Sequence, residues 1–159
     1  MDQIDVHFET LPPMRVTSFW GFGEQPEASA WEKLNAWAGP RGFLGDLLAY
    51  PIFGFNNPNP SIGSPKYGYE LWMRVGAEVE PEGDMRTVEF EGGHFAVLRC
   101  EVPTGKYEVI TESWGRLVAW VEDSKYRIGC NQCLERSAPS ETPGIEFALD
   151  LMLPICEEG

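Results

Sequence analysis

The sequence predicts an α+β fold of two pseudo-symmetric strand-and-helix modules, with an antiparallel sheet and a central ligand cleft. The first observation is that strand-like period-2 stretches and helical stretches follow one another twice in the same order. The second is a likeness between the two helical stretches, because Leu-Asn-Ala-Trp at 34–37 is echoed by Leu-Val-Ala-Trp at 117–120. We therefore predict a single domain over residues 1–159 with an internal repeat, about 4–75 and 88–155.

The final strand of each half supplies the third observation. Tyr-Glu-Leu-Trp-Met-Arg-Val at 69–75 corresponds to Leu-Asp-Leu-Met-Leu-Pro-Ile at 149–155, which places Glu70 at the position of Asp150. Along 67–75, aromatic residues fall on both faces of the strand, so the strand is predicted to be covered on both sides. Because burying an unpaired carboxylate is expensive, Glu70 is expected to have a partner, to be protonated or to face a cavity.

The elements of the first half follow from alternation, helical spacing and turn residues. Strands are predicted at 4–9, 14–20, 52–55 and 67–75, and a helix at about 26–38. Pro-Pro at 12–13 separates the first two strands, and Gly-Pro at 39–40 ends the helix. Residues 21–23 are predicted to form a flexible turn, 41–51 is ambiguous, and 56–65 is a loop by composition.

The second half repeats this order. Strands are predicted at 88–90, 94–102, 134–135 and 145–155, and a helix at about 107–123. An acidic, hairpin-like segment at 78–84 precedes them, glycines at 92–93 divide the first two strands, and 137–144 is predicted to be a loop.

The charge balance restricts the partners of this protein. With 12 Lys and Arg against 25 Asp and Glu the formal net charge is −13, so its field repels nucleic-acid phosphates and anionic membranes and attracts cations. The alternative explanation of this acidic charge is that it only keeps the protein soluble. No apolar run reaches the roughly 18 residues of a membrane helix, and the first residues lack the basic and apolar regions of a signal peptide. We therefore expect a cytoplasmic protein with no membrane partner and no direct contact with nucleic acid.

The cysteines and glycines do not indicate a metal or a cofactor. The four cysteines are too few and too scattered for a disulfide scaffold. Cys130-x-x-Cys133 lacks a second Cys or His pair at zinc-ligand spacing, and Gly21-x-Gly23 lacks the third glycine of a nucleotide-binding loop. We expect no metal and no cofactor.

Five stretches carry a resemblance to a known family. They are Tyr-Gly-Tyr-Glu-Leu-Trp at 67–72, Gly-Gly-His-Phe-Ala-Val at 92–97, Trp-Gly-Arg-Leu-Val-Ala-Trp-Val at 114–121, Asn-Gln-Cys-Leu-Glu-Arg at 131–136 and Leu-Asp-Leu-Met-Leu-Pro-Ile at 149–155. In order and spacing they resemble the GyrI-like effector-binding family, which includes the drug-binding domains of AraC- and MerR-type regulators such as BmrR. The likeness is greatest to the stand-alone, integron-cassette type of cationic-drug-binding protein.

The resemblance implies an aromatic cleft at the junction of the modules, which holds flat, apolar, often cationic compounds around an acidic residue. That acid corresponds to Glu135, and Glu70 is a second carboxylate in the final strand of the first half. A carboxylate in aromatic, low-dielectric surroundings attracts organic cations, and Trp and Tyr faces add cation–π attraction. The predicted ligand-binding residues are Glu135, Glu70, Trp72, Trp20, Phe22, Phe53, Phe55, Tyr69 and Trp114.

Ordinary structural roles are the alternatives for these residues. Glu135 could form an ion pair with Arg136, and Glu70 could form one with Arg74 or Arg15. Most aromatic side chains in globular proteins belong to the core, so each predicted aromatic contact has core packing as its alternative.

Three functions are consistent with the resemblance. The first is a binding module that captures amphipathic, cationic small molecules as a sensor or sequestering factor, with a possible link to a transcription regulator. The second is a hydrolase of cyclopropane-bearing genotoxins, in which Glu135 would orient or deprotonate water and Tyr69 or Tyr67 would donate a hydrogen bond. The third and weaker one is a protein that binds DNA gyrase, for which an acidic surface could mimic the charge of DNA.

Overall fold

Two α-helices, one 3₁₀ turn and nine strands make up the described part of the chain. The computed structural model describes residues 4–57, 63, 65–76, 79–80, 83, 85–129, 132–138, 140 and 142–157. The strands are β1 (Val6–Leu11), β2 (Met14–Gly23), β3 (Ile52–Asn56), β4 (Tyr67–Arg74), β5 (Arg86–Phe90), β6 (Gly93–Pro103), β7 (Tyr126–Ile128), β8 (Leu134–Ala138) and β9 (Ile145–Glu157). The helices are α1 (Pro26–Ala38) and α2 (Glu108–Glu122), and the 3₁₀ turn spans Phe43–Gly45.

The chain divides into two compact units with matching topology. Unit 1 comprises residues 1–12 and 92–159, and unit 2 comprises residues 13–91. The strand order is β8-β9-β6-β1 in unit 1, with β7 also paired to β9, and β3-β4-β2-β5 in unit 2. All of these pairs are antiparallel. Because α2 follows β6 as α1 follows β2, the predicted α+β class, the antiparallel pairing and the repetition of a strand-and-helix module are confirmed.

The edge strand of each unit is next in sequence to a strand of the other unit: β1 belongs to unit 1 and precedes β2 of unit 2, and β5 belongs to unit 2 and precedes β6 of unit 1. β1 directly precedes β2 in sequence but pairs with β6, so that Val6 lies opposite Leu98. β5 directly precedes β6 but pairs with β2, so that Phe90 lies opposite Met14. The units therefore differ from the predicted division at 4–75 and 88–155, which kept each edge strand with its sequence neighbour.

Helix α1 covers one face of the sheet of unit 2. Its apolar residues Ala30, Leu34 and Trp37 recur at helical spacing, which brings them to one side of the helix. The apolar cluster on this side contains Phe19, Ala30, Leu34, Trp37, Ala38, Ile52, Tyr69, Leu71, Met73 and Val75. Since successive side chains of a strand point to opposite faces, Glu70 and Trp72 of β4 lie on the face away from α1.

Helix α2 covers one face of the sheet of unit 1 in the same way. Leu117 and Val121 are its fully buried residues. The buried members of the cluster on this side are Ala96, Leu98, Cys100, Val102, Leu117, Val121, Leu151, Leu153 and Ile155. Asp150 alternates with Leu149 and Leu151 along β9, so it lies on the face away from α2, as Glu70 lies on the face away from α1.

The predicted flexible turn at 21–23 is wrong, because β2 continues through Gly23. Gly21 lies opposite Tyr69 and Phe22 opposite Gly68 in the ladder with β4. A Cβ on Gly21 would overlap the carbonyl oxygen of Pro26 and lie 2.9 Å from the nitrogen of Ala30. Glycine is required here because the start of α1 packs directly against the strand, not because the chain turns.

Smaller differences concern element ends. The ambiguous stretch 41–51 contains the 3₁₀ turn at Phe43–Gly45, and β8 continues through Ala138, into the predicted 137–144 loop. Much of the predicted 56–65 loop, much of the acidic 78–84 segment and Cys130 lie outside the described residues. Among the described residues, no helix has the length and apolar character that crossing a membrane requires.

Candidate functional site

Glu70 is a buried carboxylate at the centre of unit 2. Its residue is 2% exposed, on the face of β4 away from α1. Ser18 Oγ donates to its Oε2 at 2.7 Å and Trp72 Nε1 donates to the same oxygen at 2.6 Å. Asn57 Nδ2 donates to Oε1 at 3.0 Å. All three neutral partners are donors, an arrangement that suits an ionised carboxylate.

One cation also reaches this carboxylate. Arg86 Nη2 lies 3.4 Å from Glu70 Oε2, and the arginine side chain is 63% exposed. The alternatives predicted from the sequence were Arg74 and Arg15, but neither is a partner of Glu70 within the described residues, and Arg15 instead reaches Glu89 at 3.5 Å.

Aromatic rings surround this carboxylate on the same face of the sheet. Phe55 lies opposite Glu70 in the β3–β4 ladder, and its ring meets that of Trp72 edge to face with centroids 4.8 Å apart. Trp72 also contacts Phe90 at 5.4 Å. Phe53 lies opposite Trp72 and is fully buried. The structure thus brings together four of the predicted residues, Glu70, Trp72, Phe53 and Phe55.

Trp20 and Phe22 form an exposed aromatic pair on the same face. Their rings stack with centroids 5.7 Å apart, and the residues are 43% and 51% exposed. Trp20 lies opposite Glu70 in the β2–β4 ladder, and its Nε1 donates to the carbonyl of Asn57 at 2.7 Å. A Cβ on Gly68 would lie 2.8 Å from that Nε1, so glycine there leaves the space that the indole occupies. These two residues give the site a surface-accessible aromatic edge.

Tyr69 lies on the opposite face of β4, in the cluster under α1. Its phenol ring crosses the neighbouring strand at Gly54, where a Cβ would lie 2.7 Å from Cζ. Tyr67, the other candidate donor for hydrolysis, donates to Glu27 Oε2 at 2.5 Å. Burial and this carboxylate raise the pKa of Tyr67 to about 12, which makes it a weak proton donor. The tyrosines are therefore separated from Glu70 by the sheet.

In unit 1, Glu135 lies on the face of β8 that α2 covers. It is half-buried and accepts a hydrogen bond from Trp114 Nε1 of α2 at 2.9 Å. Burial raises the pKa of the Cys133 thiol, and the charge of Glu135 raises it further. Burial also raises the pKa of Cys100. The two predicted residues Glu135 and Trp114 are thus in direct contact, beside thiols held in their neutral form.

Arg136, predicted as the alternative partner of Glu135, points to the other face of β8 and binds other acids. Its Nη1 and Nη2 donate to the two carboxylate oxygens of Glu9 at 2.9 and 2.8 Å. Its Nε and Nη2 donate to Asp150 Oδ2 at 3.1 and 2.9 Å, and Arg99 Nε donates to Asp150 Oδ1 at 2.6 Å. Asp150 is therefore held by two arginines.

The polar residues that hold Glu70 are not among the site residues predicted from the sequence. Ser18 is one of two adjacent polar residues, with Thr17, in the middle of a largely apolar strand, which is a signal that could have been used. Asn57 and Arg86 carried no such signal, because a loop amide and an edge-strand arginine are ordinary surface residues. In the described part of the chain, no three His, Cys, Asp or Glu side chains form a metal-binding group.

Comparisons with known proteins add the family context. The family model described as the GyrI-like small molecule binding domain matches residues 4–155. Among solved structures, the chain is similar to the EcmrR C-terminal domain, with a TM-score of 0.71 and 15% identity over 98% of this chain and 99% of that domain. EcmrR in its cryo-EM complex with DNA gives the same TM-score and identity over 97% of this chain and 58% of EcmrR. This chain therefore spans little more than half of the length of EcmrR in that complex.

Two further solved structures share the fold. A hydrolase from Listeria innocua has a TM-score of 0.62 and 13% identity over 98% of this chain and 94% of the other. SAV2435, solved with bound tetraphenylphosphonium, has a TM-score of 0.56 and 9% identity over 96% of this chain and 94% of the other. Among curated proteins, none matches the sequence significantly.

Proposed function

Because this chain belongs to the GyrI-like family of small-molecule-binding domains, we propose that it binds amphipathic, aromatic cations as a sensor or a sequestering factor. The observation that carries the proposal is that each unit holds a glutamate bonded to an indole N–H. These pairs are Glu135 with Trp114 in unit 1 and Glu70 with Trp72 in unit 2. An indole N–H holds a carboxylate in a fixed orientation and brings no countercharge of its own.

The surroundings of these carboxylates favour an organic cation over a hydrated metal ion. Aromatic faces attract desolvated cations by about 0.5–2 kcal/mol each, whereas a metal ion needs several oxygen or nitrogen ligands together. The net charge of −13 raises the local concentration of cations around the whole protein. The tetraphenylphosphonium bound to SAV2435, a protein of the same fold, is a compound of this class.

Titration with tetraphenylphosphonium tests the proposal, with binding followed by tryptophan fluorescence and by calorimetry. The resemblance assigns Glu135 as the principal acid, so Glu135→Gln should weaken binding about tenfold, the equivalent of losing about 1.4 kcal/mol. Glu101→Gln is the matched control, because Glu101 is an exposed strand glutamate of the same unit and the charge change is identical. Triphenylphosphine oxide, a neutral aromatic probe, should bind Glu135→Gln and the native protein equally.

Two results would count against the proposal. Absence of tetraphenylphosphonium binding at millimolar concentration would remove the function itself. Equal affinities of the Glu135→Gln and Glu101→Gln variants would leave the function in place but show that Glu135 is not the acid.

Hydrolysis is the second candidate, supported by the shared fold with the Listeria innocua protein described as a hydrolase. In this proposal Glu135 orients or deprotonates the attacking water. Product formed in excess over protein from an electrophilic cyclopropane substrate would favour it over binding alone. Loss of that turnover in Glu135→Gln, but not in Glu101→Gln, would assign the role to Glu135.

The likeness to EcmrR supports a link between this module and transcription regulation, since EcmrR was solved in a complex with DNA. We propose that any such link passes through a protein partner, because the net charge of −13 opposes direct contact with DNA. DNA gyrase is the weaker candidate partner. Pull-down with purified gyrase, in the presence and absence of tetraphenylphosphonium, tests that candidate.

A further inference from the structure

The two units hold a carboxylate at the same topological position but surround it differently. Glu70 of β4 lies opposite Trp20 on β2 and Phe55 on β3. Asp150 of β9, its counterpart, lies opposite Arg99 on β6 and Arg136 on β8. Two arginines in unit 1 thus correspond to two aromatic residues in unit 2.

The carboxylate of unit 1 is closed to any further cation. Asp150 receives three hydrogen bonds from Arg99 and Arg136, at 2.6, 2.9 and 3.1 Å. Arg136 is only 21% exposed and is bound on its far side by both oxygens of Glu9. Displacing either arginine would leave a buried carboxylate without its countercharge, which is costly.

The carboxylate of unit 2 has a weaker and more accessible countercharge. The closest approach of Arg86 to Glu70 is 3.4 Å, longer than the about 2.7–2.9 Å of a good charge-assisted hydrogen bond. With 63% of its side chain exposed, Arg86 regains hydration on turning into water, although its partner Glu70 is buried. The bonds from Ser18, Trp72 and Asn57 remain when Arg86 leaves, so Glu70 stays fixed.

We propose that Arg86 is an internal competitor at a second cation site, which consists of Glu70 with Trp20, Phe55 and Trp72. In the free protein the guanidinium of Arg86 occupies the position next to Glu70. An aromatic cation displaces it, places its positive centre near the carboxylate and lays its rings against the exposed edge of Trp20. This inference rests on the proposed function and adds to it a residue that sets affinity: a ligand must bind Glu70 better than Arg86 does.

Calorimetric titration with tetraphenylphosphonium of the native protein, Arg86→Gln and Arg74→Gln tests the inference. Arg86→Gln should bind about two- to fivefold more tightly, because the ligand no longer has to displace a guanidinium that lies 3.4 Å from Glu70. Arg74→Gln is the matched control, because Arg74 is an exposed residue on the same face of β4 and the change in net charge is the same. Arg74→Gln should keep the native melting temperature, and Arg86→Gln should lower it only modestly, because Glu70 loses its countercharge but keeps the bonds from Ser18, Trp72 and Asn57.

Two further measurements separate competition from a general charge effect. Triphenylphosphine oxide, which is neutral, should bind the native protein and Arg86→Gln equally. The double variant Glu70→Gln with Arg86→Gln should bind tetraphenylphosphonium no more tightly than Glu70→Gln alone. Without the charge of Glu70, Arg86 and the ligand no longer compete for the same carboxylate.

The outcomes distinguish this inference from the proposed function. If the native protein binds tetraphenylphosphonium and Arg86→Gln binds no more tightly than Arg74→Gln, Arg86 is not a competitor and the proposed function stands. If Arg86→Gln binds and the native protein does not, Arg86 blocks the site in the native protein and the proposed function of the native protein is wrong. If neither binds, both the inference and the proposed function are wrong.

Discussion

Replacing Arg136 by methionine tests the ion network of unit 1. Arg136 carries one positive charge between Glu9 and Asp150 and donates four hydrogen bonds to them, at 2.8–3.1 Å. Methionine keeps much of the length and the apolar contacts of the side chain but has no charge. The substitution therefore leaves His7, whose Nε2 lies 2.7 Å from Glu9 Oε2, as the basic neighbour of Glu9, and removes one of the two arginines that bind Asp150.

The magnitude follows from what remains after the substitution. Removing one partner of a buried ion pair costs about 3–5 kcal/mol when the remaining charge is left alone. Arg99 still pairs with Asp150 at 2.6 Å, and Glu9 is 27% exposed, so water replaces part of the lost interaction. We expect the free energy of unfolding at neutral pH to fall by about 2–3 kcal/mol.

The loss should depend on pH because of Glu9. Hydrogen bonding to Arg136 is the main cause that lowers the pKa of Glu9 from 4.5 to about 2. A carboxyl with a lowered folded pKa stabilises the fold above its unfolded pKa, and this stabilisation is lost as the pH falls from 4.5 towards 2. The difference between the native protein and Arg136→Met should therefore shrink over that range, by about 1–2 kcal/mol once solvent screening is allowed for.

Urea unfolding followed by circular dichroism, at several pH values and constant ionic strength, measures both effects. Arg127→Met is the control, because Arg127 is an exposed strand arginine of the same unit. If Arg136→Met loses no more stability than Arg127→Met at neutral pH, the ion pairs of Arg136 do not stabilise the fold. A difference that stays constant from neutral pH to pH 2 would refute the role given to Glu9.

Two other substitutions test the packing and hydrogen bonding of unit 2. Gly54→Ala should destabilise the protein by about 1–3 kcal/mol, because the new methyl would lie 2.7 Å from Cζ of Tyr69. Gly45→Ala is the control, because no atom lies within 4 Å of its new carbon, and it should leave the melting temperature nearly unchanged. Ser18→Ala should cost about 1–2 kcal/mol in urea unfolding, because it removes one donor from the buried carboxylate of Glu70; an unchanged unfolding midpoint would show that this hydrogen bond is not made in solution.

Most of the element pattern could be predicted from the sequence because it depends on local spacing. Both helices have apolar residues that repeat at helical spacing, and β4 and β9 carry recognisably similar stretches. The partners of the short strands could not be predicted in this way. β1 and β5 each have a suitable alternation, but nothing local tells a short strand which longer strand it will pair with, because pairing is decided by tertiary packing.

Glycines show the same limit of prediction from local sequence, here within single strands. Gly21 was assigned to a turn because glycine is common in turns, and the structure uses it where α1 touches β2. Gly54 and Gly68 likewise leave room for the rings of Tyr69 and Trp20. A glycine in the sequence can indicate either an unusual backbone angle or a close neighbouring atom, and only the folded structure shows which of the two applies.

The acidic residues of the candidate site could be predicted from the sequence, but the residues that surround them could not. The sequence repeat alone places Glu70 and Asp150 at equivalent positions, and both are buried as expected for the middle of a covered strand. Whether such an acid is neutralised depends on the residues opposite it in the neighbouring strands, and a shift of one residue in register would change every one of those neighbours. In the ladders as they form, Asp150 faces Arg99 and Glu70 faces Trp20. Two halves with nearly the same backbone plan therefore acquire different chemistry from single positions on adjacent strands: a closed ion pair in one, and a carboxylate beside an aromatic ring in the other.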